Sequence, residues 1–525
     1  MKNKFLLAIA VAAATLTSCD MDLNPAGSIS ESESMETLLD AQKFRNLFYT
    51  TFRSFSTSGF VGYPSVQCDE FNGLIVNGNY YGSFAGGDIQ SGNDDIESVW
   101  AGLYSRIANI NFFMQNVGTL RDKYLEAGND LYVTNLDYYI GEARFFRGFY
   151  YAEMFDRFCP AYSADLADTP SMGCAIDTIY DPTPIRSKYV GRSTMKQTIA
   201  FVDNEFEQAL SCLEAWEPIM KENYASSDAE YTLKANAIYI SSYTVKAMMA
   251  RWCFMTGRYQ KAIDYAKEVI DCGLYPLVTT AANYKAMWTT DQGTEIIFSP
   301  YMSTSELGGA LGAYFLNTTS GAWYIPSTTL IEQYQASGKL LRDWADIRYS
   351  AFIGTAKVTS AYGVTTVPAF IKYPGNSSLQ TSSSNNYVNK SKPFRTSELY
   401  LIVAECADLL NDPVTANTYL NELAKARVLG YKDKTLAGNE LTNEIRRQRT
   451  LELVGEGFRA SDLRRWKQGF RRTDGANYDA DVLPLLTEVY LNVVYTGDDY
   501  RYTWPIPSGE MQVNPQMTQN PGYAK

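Results

Sequence analysis

Several acidic side chains in the C-terminal part of the chain are of the type that acid–base chemistry uses. Glu405, Glu452 and Glu456 lie on or beside segments with helical periodicity, and paired carboxylates are common general acids and bases. Because partly buried charges in proteins are normally paired, alternation with arginine favours a structural network of ion pairs over a catalytic site. The arginines that alternate with these carboxylates are Arg446, Arg449, Arg459, Arg464 and Arg465.

Histidine is absent from the sequence, which excludes Ser-His-Asp and Cys-His nucleophile systems and removes the commonest zinc ligand. The eight cysteines include no C-x-x-C pair, so neither a zinc ribbon nor a thioredoxin-type site is indicated. Cys253 and Cys406 lie on apolar helical faces and are predicted to be core residues. Cys159 and Cys174 could form a disulfide, which spacing alone does not decide. We predict no catalytic residue, no metal site and no cofactor.

The formal net charge of −12 argues against nucleic acid or an anionic lipid surface as a partner held by charge. A neutral or weakly charged ligand fits this balance better. With 46% hydrophobic and 20% charged residues, the composition is that of a folded protein with a large core.

The N-terminus carries the pattern of an export signal. Lys2 and Lys4 precede an apolar run over residues 5–14, which is too short for a membrane-spanning helix of ~20 residues and typical of a secretory h-region. The sequence Leu-Thr-Ser-Cys at residues 16–19 then resembles a bacterial lipobox. We therefore predict a signal peptide over residues 1–18 and acylation of Cys19, whose acyl chains would anchor the protein to a membrane.

Helices must position the charged residues of the C-terminal region. Apolar residues recur at three- and four-residue steps over 397–410, and Asp412 and Pro413 are typical of a cap and first turn of the next helix. A further helix is predicted over 441–453. Glycines then interrupt the pattern before a short helix that ends at Trp466.

A helix pair also occupies the middle of the chain, over residues 238–257 and 259–271. Its alanines allow two helices to approach closely, as in a tetratricopeptide unit with a period of about 34 residues. One such pair would leave an apolar face exposed, and stacking further pairs covers it. The predicted fold is therefore mainly α, a tetratricopeptide-like solenoid of helical pairs with large loop-rich insertions.

Those insertions are two blocks, at about 56–98 and 280–393, in which the helical period largely fails and glycine, serine and asparagine are dense. A long irregular segment inside a compact protein is usually functional. A pyranose needs an aromatic ring to lie on and hydrogen-bonding groups around its edge, and both blocks supply these residue types. The predicted ligand-binding residues are Tyr80, Tyr81, Trp288, Tyr301, Trp323 and Tyr324.

The alternative for each of these rings is a structural one, because loop aromatics commonly anchor a loop to its own body. Trp100 is assigned to the core for this reason, since a helical period runs through it. The physical hypothesis is that the two blocks converge on one face of a rigid helical frame. Sequence does not decide which rings meet there.

The C-terminal part of the chain contains an ordered set of motif residues: Ile445, Arg449, Glu452, Leu453, Glu456, Gly457, Arg459, Asp462, Leu463, Arg465 and Trp466. This set resembles the signature of the SusD/RagB family of outer-membrane nutrient-binding lipoproteins. Segments 395–405 and 504–523, and the W-x-x-L-Y-x-x-I-x-x-x-N pattern from Trp100 to Asn111, agree with that family as well. Gln448 departs from it, since an acidic residue is usual there.

This resemblance implies a lipoprotein of the outer membrane, facing outwards, that binds oligosaccharide without catalysis. It also implies delivery of the ligand to a TonB-dependent, SusC-like transporter. Length alone suggests roughly three domains, but the resemblance covers nearly the whole mature chain, so we expect one domain over 19–525 with the family signature at 395–525. Two alternatives remain open: peptide capture by the same architecture, and a surface glycoside hydrolase with two carboxylates ~5–10 Å apart.

Overall fold

The computed structural model of the protein describes residues 35–183, 185–223, 233–340, 343–472 and 477–524. Helices dominate these residues, and the strands form only two-stranded sheets, which confirms the predicted mainly α class. Within the described residues, no helix combines the length and the apolar character needed to cross a bilayer. Cys19 and the predicted signal peptide lie outside the described residues.

The α-helices follow one another from Leu38 to Val513. In chain order they are α1 (Leu38–Phe55), α2 (Gly59–Gln67), α3 (Gly82–Ala85), α4 (Asp94–Glu126), α5 (Asp130–Phe158), α6 (Met195–Asn223), α7 (Ser242–Met255), α8 (Tyr259–Asp271), α9 (Ala281–Thr289), α10 (Thr328–Gln335), α11 (Ile347–Phe352), α12 (Thr396–Leu409), α13 (Pro413–Arg427), α14 (Gly438–Leu453), α15 (Arg459–Arg465), α16 (Glu488–Leu491) and α17 (Ser508–Val513).

The strands are short apart from one hairpin. They are β1 (Phe71–Gly73), β2 (Ile296–Phe298), β3 (Leu316–Asn317), β4 (Gly321–Ala322), β5 (Tyr324–Pro326), β6 (Lys339–Leu340), β7 (Asp343–Trp344), β8 (Ile353–Ser360), β9 (Gly363–Phe370), β10 (Phe394–Arg395), β11 (Phe470–Arg471) and β12 (Val494–Tyr495). The antiparallel pairs are β1–β5, β2–β10, β3–β4, β6–β7, β8–β9 and β11–β12.

The long helices pack as consecutive pairs, with α5 between α4 and α6, α7 against α8, and α12 against both α8 and α13. The predicted pair α7–α8 turns at Gly257, whose φ of 73° lies in the left-handed region that glycine adopts without strain. Ala250 and Ala266 are fully buried, as close packing of the pair requires. Sequential helix pairs of this kind bury their apolar faces on their neighbours.

The C-terminal helices match their predicted positions closely. The helix predicted over 397–410 is α12, and the Asp412 side chain caps α13 by accepting a hydrogen bond from the Thr415 N–H at 3.1 Å. Cys253 and Cys406 are buried, as predicted.

The two loop-rich blocks contain more regular structure than their sequences predict. The helix α2 lies in the first block, and eight of its nine residues are buried. A helix buried on all sides has no polar face, so it shows no amphipathic period. The second block likewise contains α9, α10, α11 and the hairpin β8–β9.

Candidate ligand-binding site

The first candidate, the group of carboxylates suggestive of acid–base chemistry, is a buried network of ion pairs. We call Glu295, Arg348, Arg395, Arg427 and Glu452 the ionic cluster; the side chains of all five are essentially inaccessible to solvent. The Glu452 carboxylate accepts hydrogen bonds at 2.9 Å from Arg395 Nη1 and from Arg427 Nε. Glu295 accepts from Arg427 Nη2 at 2.8 Å.

Burial alone would raise the pKa of Glu452, but Arg427 and Arg395 outweigh it and hold the pKa well below its usual range. Glu456 is similar: Lys372 Nζ donates to it at 2.6 Å, and Arg395 and Lys372 keep its pKa lowered despite burial. Glu405 pairs with Arg465 and accepts from Trp466 Nε1 at 2.6 Å. The predicted ion-pair network is therefore confirmed.

The departure at Gln448 fits into the same network. Its amide oxygen accepts a hydrogen bond from Arg348 Nη2 at 2.8 Å, and its amide nitrogen donates to Glu444 at 2.9 Å. A neutral side chain thus takes one place in the network that a carboxylate would otherwise occupy.

Trp288 covers this ionic cluster and is only 1% exposed. Lys372 Nζ lies 4.4 Å from the centroid of the Trp288 ring, and the Arg395 guanidinium lies 5.1 Å from it. The ring faces buried cations, an arrangement that stabilises both groups. Trp288 therefore presents no ring surface to an external ligand, contrary to the sequence prediction.

The two loop-rich blocks meet directly in the structure. Strand β1 from the first block pairs antiparallel with β5 from the second, with Gly73 opposite Tyr324. The ladder continues through the Leu74 N–H, which donates to the Trp323 carbonyl at 2.9 Å. This pairing brings residues 74–82 beside residues 314–324.

Five aromatic side chains gather at this junction: Tyr63, Tyr80, Tyr81, Tyr314 and Trp323, which we call the aromatic patch. The ring centroids of Tyr80 and Trp323 are 4.2 Å apart, and those of Tyr80 and Tyr81 are 3.8 Å apart. Tyr81 stacks on Tyr314 at 5.1 Å, and Tyr63 meets Tyr81 edge-on at 5.0 Å. Rings from both blocks thus form one continuous surface.

The backbone that carries Tyr80 and Tyr81 is held in an uncommon conformation. Asn79 and Tyr81 have φ values of 66° and 57°, in the left-handed region that bulky residues rarely adopt. Two hydroxyl groups hold this turn: Tyr324 donates to the Tyr80 carbonyl, and Tyr490 donates to Asn79 Oδ1 at 3.0 Å. Such strain persists where surrounding contacts over-determine it, often at functional sites.

The aromatic patch is accessible to solvent except at Tyr63, which is buried. Tyr80 is 41% exposed, while Tyr81, Tyr314 and Trp323 are half-buried. Burial raises the pKa of Tyr81 and of Tyr314, so both hydroxyls stay protonated and can donate hydrogen bonds. The patch therefore combines flat apolar faces with hydrogen-bonding groups.

The other predicted binding residues lie elsewhere or act indirectly. Tyr324 is fully buried and positions Tyr80 through its hydroxyl, so it does not offer its ring to a ligand. Tyr301 is 47% exposed, but among the described residues no ring contact joins it to the aromatic patch. Of the six predictions, the structure brings together Tyr80, Tyr81 and Trp323.

Sequence reasoning did not single out Tyr63 or Tyr314. Tyr63 lies on α2, whose uniform burial conceals its helical character, and Tyr314 is one of many aromatics in the second block. The glycine at position 62 is a weak indication of close packing at α2, because a Cβ atom there would lie 2.4 Å from the Tyr314 ring. Glycine there permits the ring to approach the helix.

Known proteins share both the C-terminal motifs and this architecture. The model of the SusD family matches residues 343–523, which contain most of the ionic cluster. A SusD-like protein of Formosa agariphila is 30% identical over 155 residues, or 28% of each chain. Residues 343–523 of the chain thus match the SusD family.

Solved SusD-family structures reproduce the fold over almost the whole chain. A SusD superfamily protein from Bacteroides thetaiotaomicron is 22% identical with a TM-score of 0.73, over 92% of this chain and 100% of the other. A SusD-like carbohydrate binding protein from Bacteroides vulgatus is 17% identical with a TM-score of 0.70, over 94% and 100%. The family match ends short of the aromatic patch, whose residues all precede residue 343.

Proposed function

We propose that this protein binds an oligosaccharide at the aromatic patch without altering it chemically. The observation that carries the proposal is the junction of the two loop-rich blocks, where Tyr80, Tyr81 and Trp323 form one partly exposed aromatic surface. The match of residues 343–523 to the SusD family, and a structural neighbour described as carbohydrate binding, support the same ligand class.

The physical basis is the match between a pyranose and such a surface. One face of the sugar is apolar and packs on an aromatic ring, while its hydroxyls need donors and acceptors at the ring edges. Tyr80 offers the most exposed ring, and the Tyr81 and Tyr314 hydroxyls remain protonated as donors. Hydrogen bonds that hold the turn before binding reduce the entropy lost when the ligand binds.

The carboxylates support binding rather than hydrolysis. A glycoside hydrolase needs two carboxyl groups that flank the substrate, one of them free to donate a proton. Glu405, Glu452 and Glu456 are instead engaged by arginine or lysine, with pKa values held below the usual range. We therefore propose a non-catalytic role.

We also propose that the protein is anchored to the outer membrane through acylated Cys19 and passes its ligand to a TonB-dependent, SusC-like transporter. The lipobox-like sequence at residues 16–19 supports the anchor. The transporter follows from the family resemblance, as a binding protein that captures a large nutrient requires a route into the cell.

Isothermal titration of the purified protein against a panel of oligosaccharides tests the binding proposal. We expect at least one glycan to bind and Trp323→Ala to weaken it about tenfold or more, since loss of an aromatic contact costs about 1–2 kcal/mol. Trp344→Ala is the matched control, because Trp344 is also half-buried but stacks near Tyr349 and Lys339 outside the patch.

The alternatives give different results in the same assays. Binding of mixed peptides and of no glycan would replace the proposal with peptide capture. Release of reducing sugar by the pure protein would contradict the non-catalytic role. An equal loss of affinity in both tryptophan variants would remove the aromatic patch as the site.

A further inference from the structure

Two buried cysteines face each other at the C-terminal end of α5. Cys159 follows the last residue of the helix, Cys174 lies 15 residues further along the chain, and their side chains are 1% and 2% exposed. Their thiol groups share a hydrogen bond, with the sulfur atoms 3.8 Å apart. No hydrogen bond of this kind joins any other two of the seven cysteines in the described residues.

The backbone is fixed on both sides of the pair. The Cys159 N–H donates to the Phe155 carbonyl at 3.3 Å. The Cys174 N–H donates to the Thr198 hydroxyl at 2.9 Å, and the Cys174 carbonyl accepts from the Ser193 N–H at 2.9 Å. A disulfide bond is about 2.05 Å long, so the two sulfur atoms must approach by roughly 1.8 Å. Rotations about the Cα–Cβ bonds move a sulfur atom by this much, so little displacement of the backbone is needed.

Arg192 makes the two thiol groups unequal. Its Nη2 donates to Cys159 Sγ at 3.7 Å. Burial alone would raise the pKa of the Cys159 thiol, but the hydrogen bond with Cys174 and the charge of Arg192 outweigh it and lower this pKa. Burial raises the pKa of the Cys174 thiol well above its usual range. The thiolate, which is the reactive form of cysteine, is therefore favoured at Cys159.

The pair lies beside a junction of three segments that Arg192 holds together. Arg192 Nε donates to the Gly173 carbonyl at 2.9 Å, and its Nη2 donates to the Phe158 carbonyl at 3.2 Å. Arg192 Nη1 donates to Asn520 Oδ1 at 2.7 Å, and the Asn520 amide donates to the Phe158 carbonyl at 2.8 Å. A covalent bond at this point would fix the junction of α5, residues 173–192 and the C-terminal segment.

We propose that Cys159 and Cys174 form a disulfide bond in the exported protein and so close a loop over residues 159–174. This inference rests on the proposed anchoring at the outer membrane, because disulfides persist outside the reducing cytoplasm. It is independent of the aromatic patch and of the proposed glycan binding. Closing a loop restricts the unfolded chain and therefore stabilises the folded protein.

The oxidant is an external disulfide, either a small molecule or an oxidoreductase. The Cys159 thiolate attacks one sulfur of this disulfide, forms a mixed disulfide and releases one external thiol. The Cys174 thiolate then attacks the Cys159 sulfur and releases the second external thiol. The two protein thiols thus lose two electrons and two protons, which convert one external disulfide into two thiols. Since both sulfur atoms are buried in the folded protein, the exchange takes place before the loop packs.

Peptide mapping by mass spectrometry tests the proposal on protein isolated from the cell envelope, with free thiols blocked by N-ethylmaleimide at lysis. We expect a linked peptide pair that contains Cys159 and Cys174 and that a reductant separates. Alkylation of both residues, or linkage of either one to another cysteine, overturns the proposal. Cell fractionation of the same culture tests the anchoring separately. Recovery from the cytoplasm would overturn both proposals, whereas free thiols at Cys159 and Cys174 in envelope protein would overturn the disulfide alone.

Thermal unfolding with and without tris(2-carboxyethyl)phosphine measures the contribution of the bond in the purified protein. We expect this reductant to lower the Tm of the wild type by about 3–6 °C and to leave the Tm of Cys174→Ala unchanged. Cys406→Ala is the matched control, because Cys406 is also fully buried but lies on α12, and it should keep the wild-type response. An equal response in Cys174→Ala and the wild type overturns the proposal. Peptide mapping of the wild type decides the matter if Cys174→Ala fails to fold.

Discussion

The ionic cluster and the aromatic patch both include aromatic side chains, but these are buried in the first region and partly exposed in the second. Trp288 and Trp323 belong to the same loop-rich block, yet Trp288 is 1% exposed above buried cations and Trp323 is half-buried beside Tyr80. In the first region the Trp288 ring faces buried cations, and the charged side chains pair with one another. In the second, rings from two segments contact one another and remain partly exposed to solvent. Ligand contact is thus decided by what covers a side chain rather than by its type.

The largest expected effect in this comparison is the loss of stability when a carboxylate of the ionic cluster is removed. Glu452→Ala removes a carboxylate that Arg348, Arg395 and Arg427 share and leaves the buried cluster with uncompensated positive charge. It should lower the free energy of unfolding by about 3–5 kcal/mol, measured by urea denaturation. The control is Glu306→Ala, which breaks the more exposed ion pair with Arg53 and should cost about 1 kcal/mol or less. Equal effects of the two variants would contradict a structural cluster.

Glu70 lies between the two regions, next to β1, and gives the next largest effect. Its side chain is 3% exposed, and burial raises its pKa from 4.5 to about 8. A raised pKa in the folded state contributes stability that is fully present below pH 4.5 and is lost as the pH rises towards 8.

Glu70→Gln should therefore remove part of the decline in stability between pH 5 and pH 8. At pH 8 we expect the variant to be more stable than the wild type by a few kcal/mol, on the order of 1.4 kcal/mol per unit of pKa shift. Urea denaturation at several pH values measures the difference. Parallel pH profiles for the two proteins would show that Glu70 does not titrate in this way.

A smaller effect on oligosaccharide binding is expected from a substitution that displaces a ring of the aromatic patch but not from one elsewhere in the helical frame. Ala at Gly62 would place its Cβ 2.4 Å from the Tyr314 ring, so the ring must shift. We expect Gly62→Ala to weaken oligosaccharide binding about three- to tenfold, the equivalent of the 1–2 kcal/mol typical of overpacking. In Gly118→Ala, on α4, the new Cβ meets no atom within 4 Å, so binding should be unchanged.

The smallest expected effect tests whether Tyr324 acts through Tyr80. Tyr324→Phe removes the hydroxyl that donates to the Tyr80 carbonyl and should weaken oligosaccharide binding by about two- to fivefold, since such a bond contributes about 1 kcal/mol. Tyr334→Phe loses a similar buried bond, to the Leu451 carbonyl at 2.7 Å, far from the patch. A larger loss of binding in Tyr334→Phe than in Tyr324→Phe would contradict the role of Tyr324 in positioning Tyr80.

Local patterns explain which predictions succeeded. The apolar period of 397–410 predicted α12, and Asp412 with Pro413 predicted the start of α13, because caps and periodicity act over a few residues. In the first block, periodicity did not predict α2, because this helix is buried on all sides and shows no amphipathic period. Ion pairing of Glu452 was predictable in kind, although its partners come from β10, α11 and α13.

The sequence by itself determined the helical frame, the paired charges of the C-terminal region and the two segments able to carry a ligand site. Only the tertiary structure decided which rings face outwards. The pairing of β1 with β5 joins residues about 250 positions apart and places Tyr80 beside Trp323, whereas the packing of α9 on α11 buries Trp288. Burial is the sum of such long-range contacts, and a side chain carries no local mark of the segment that will cover it.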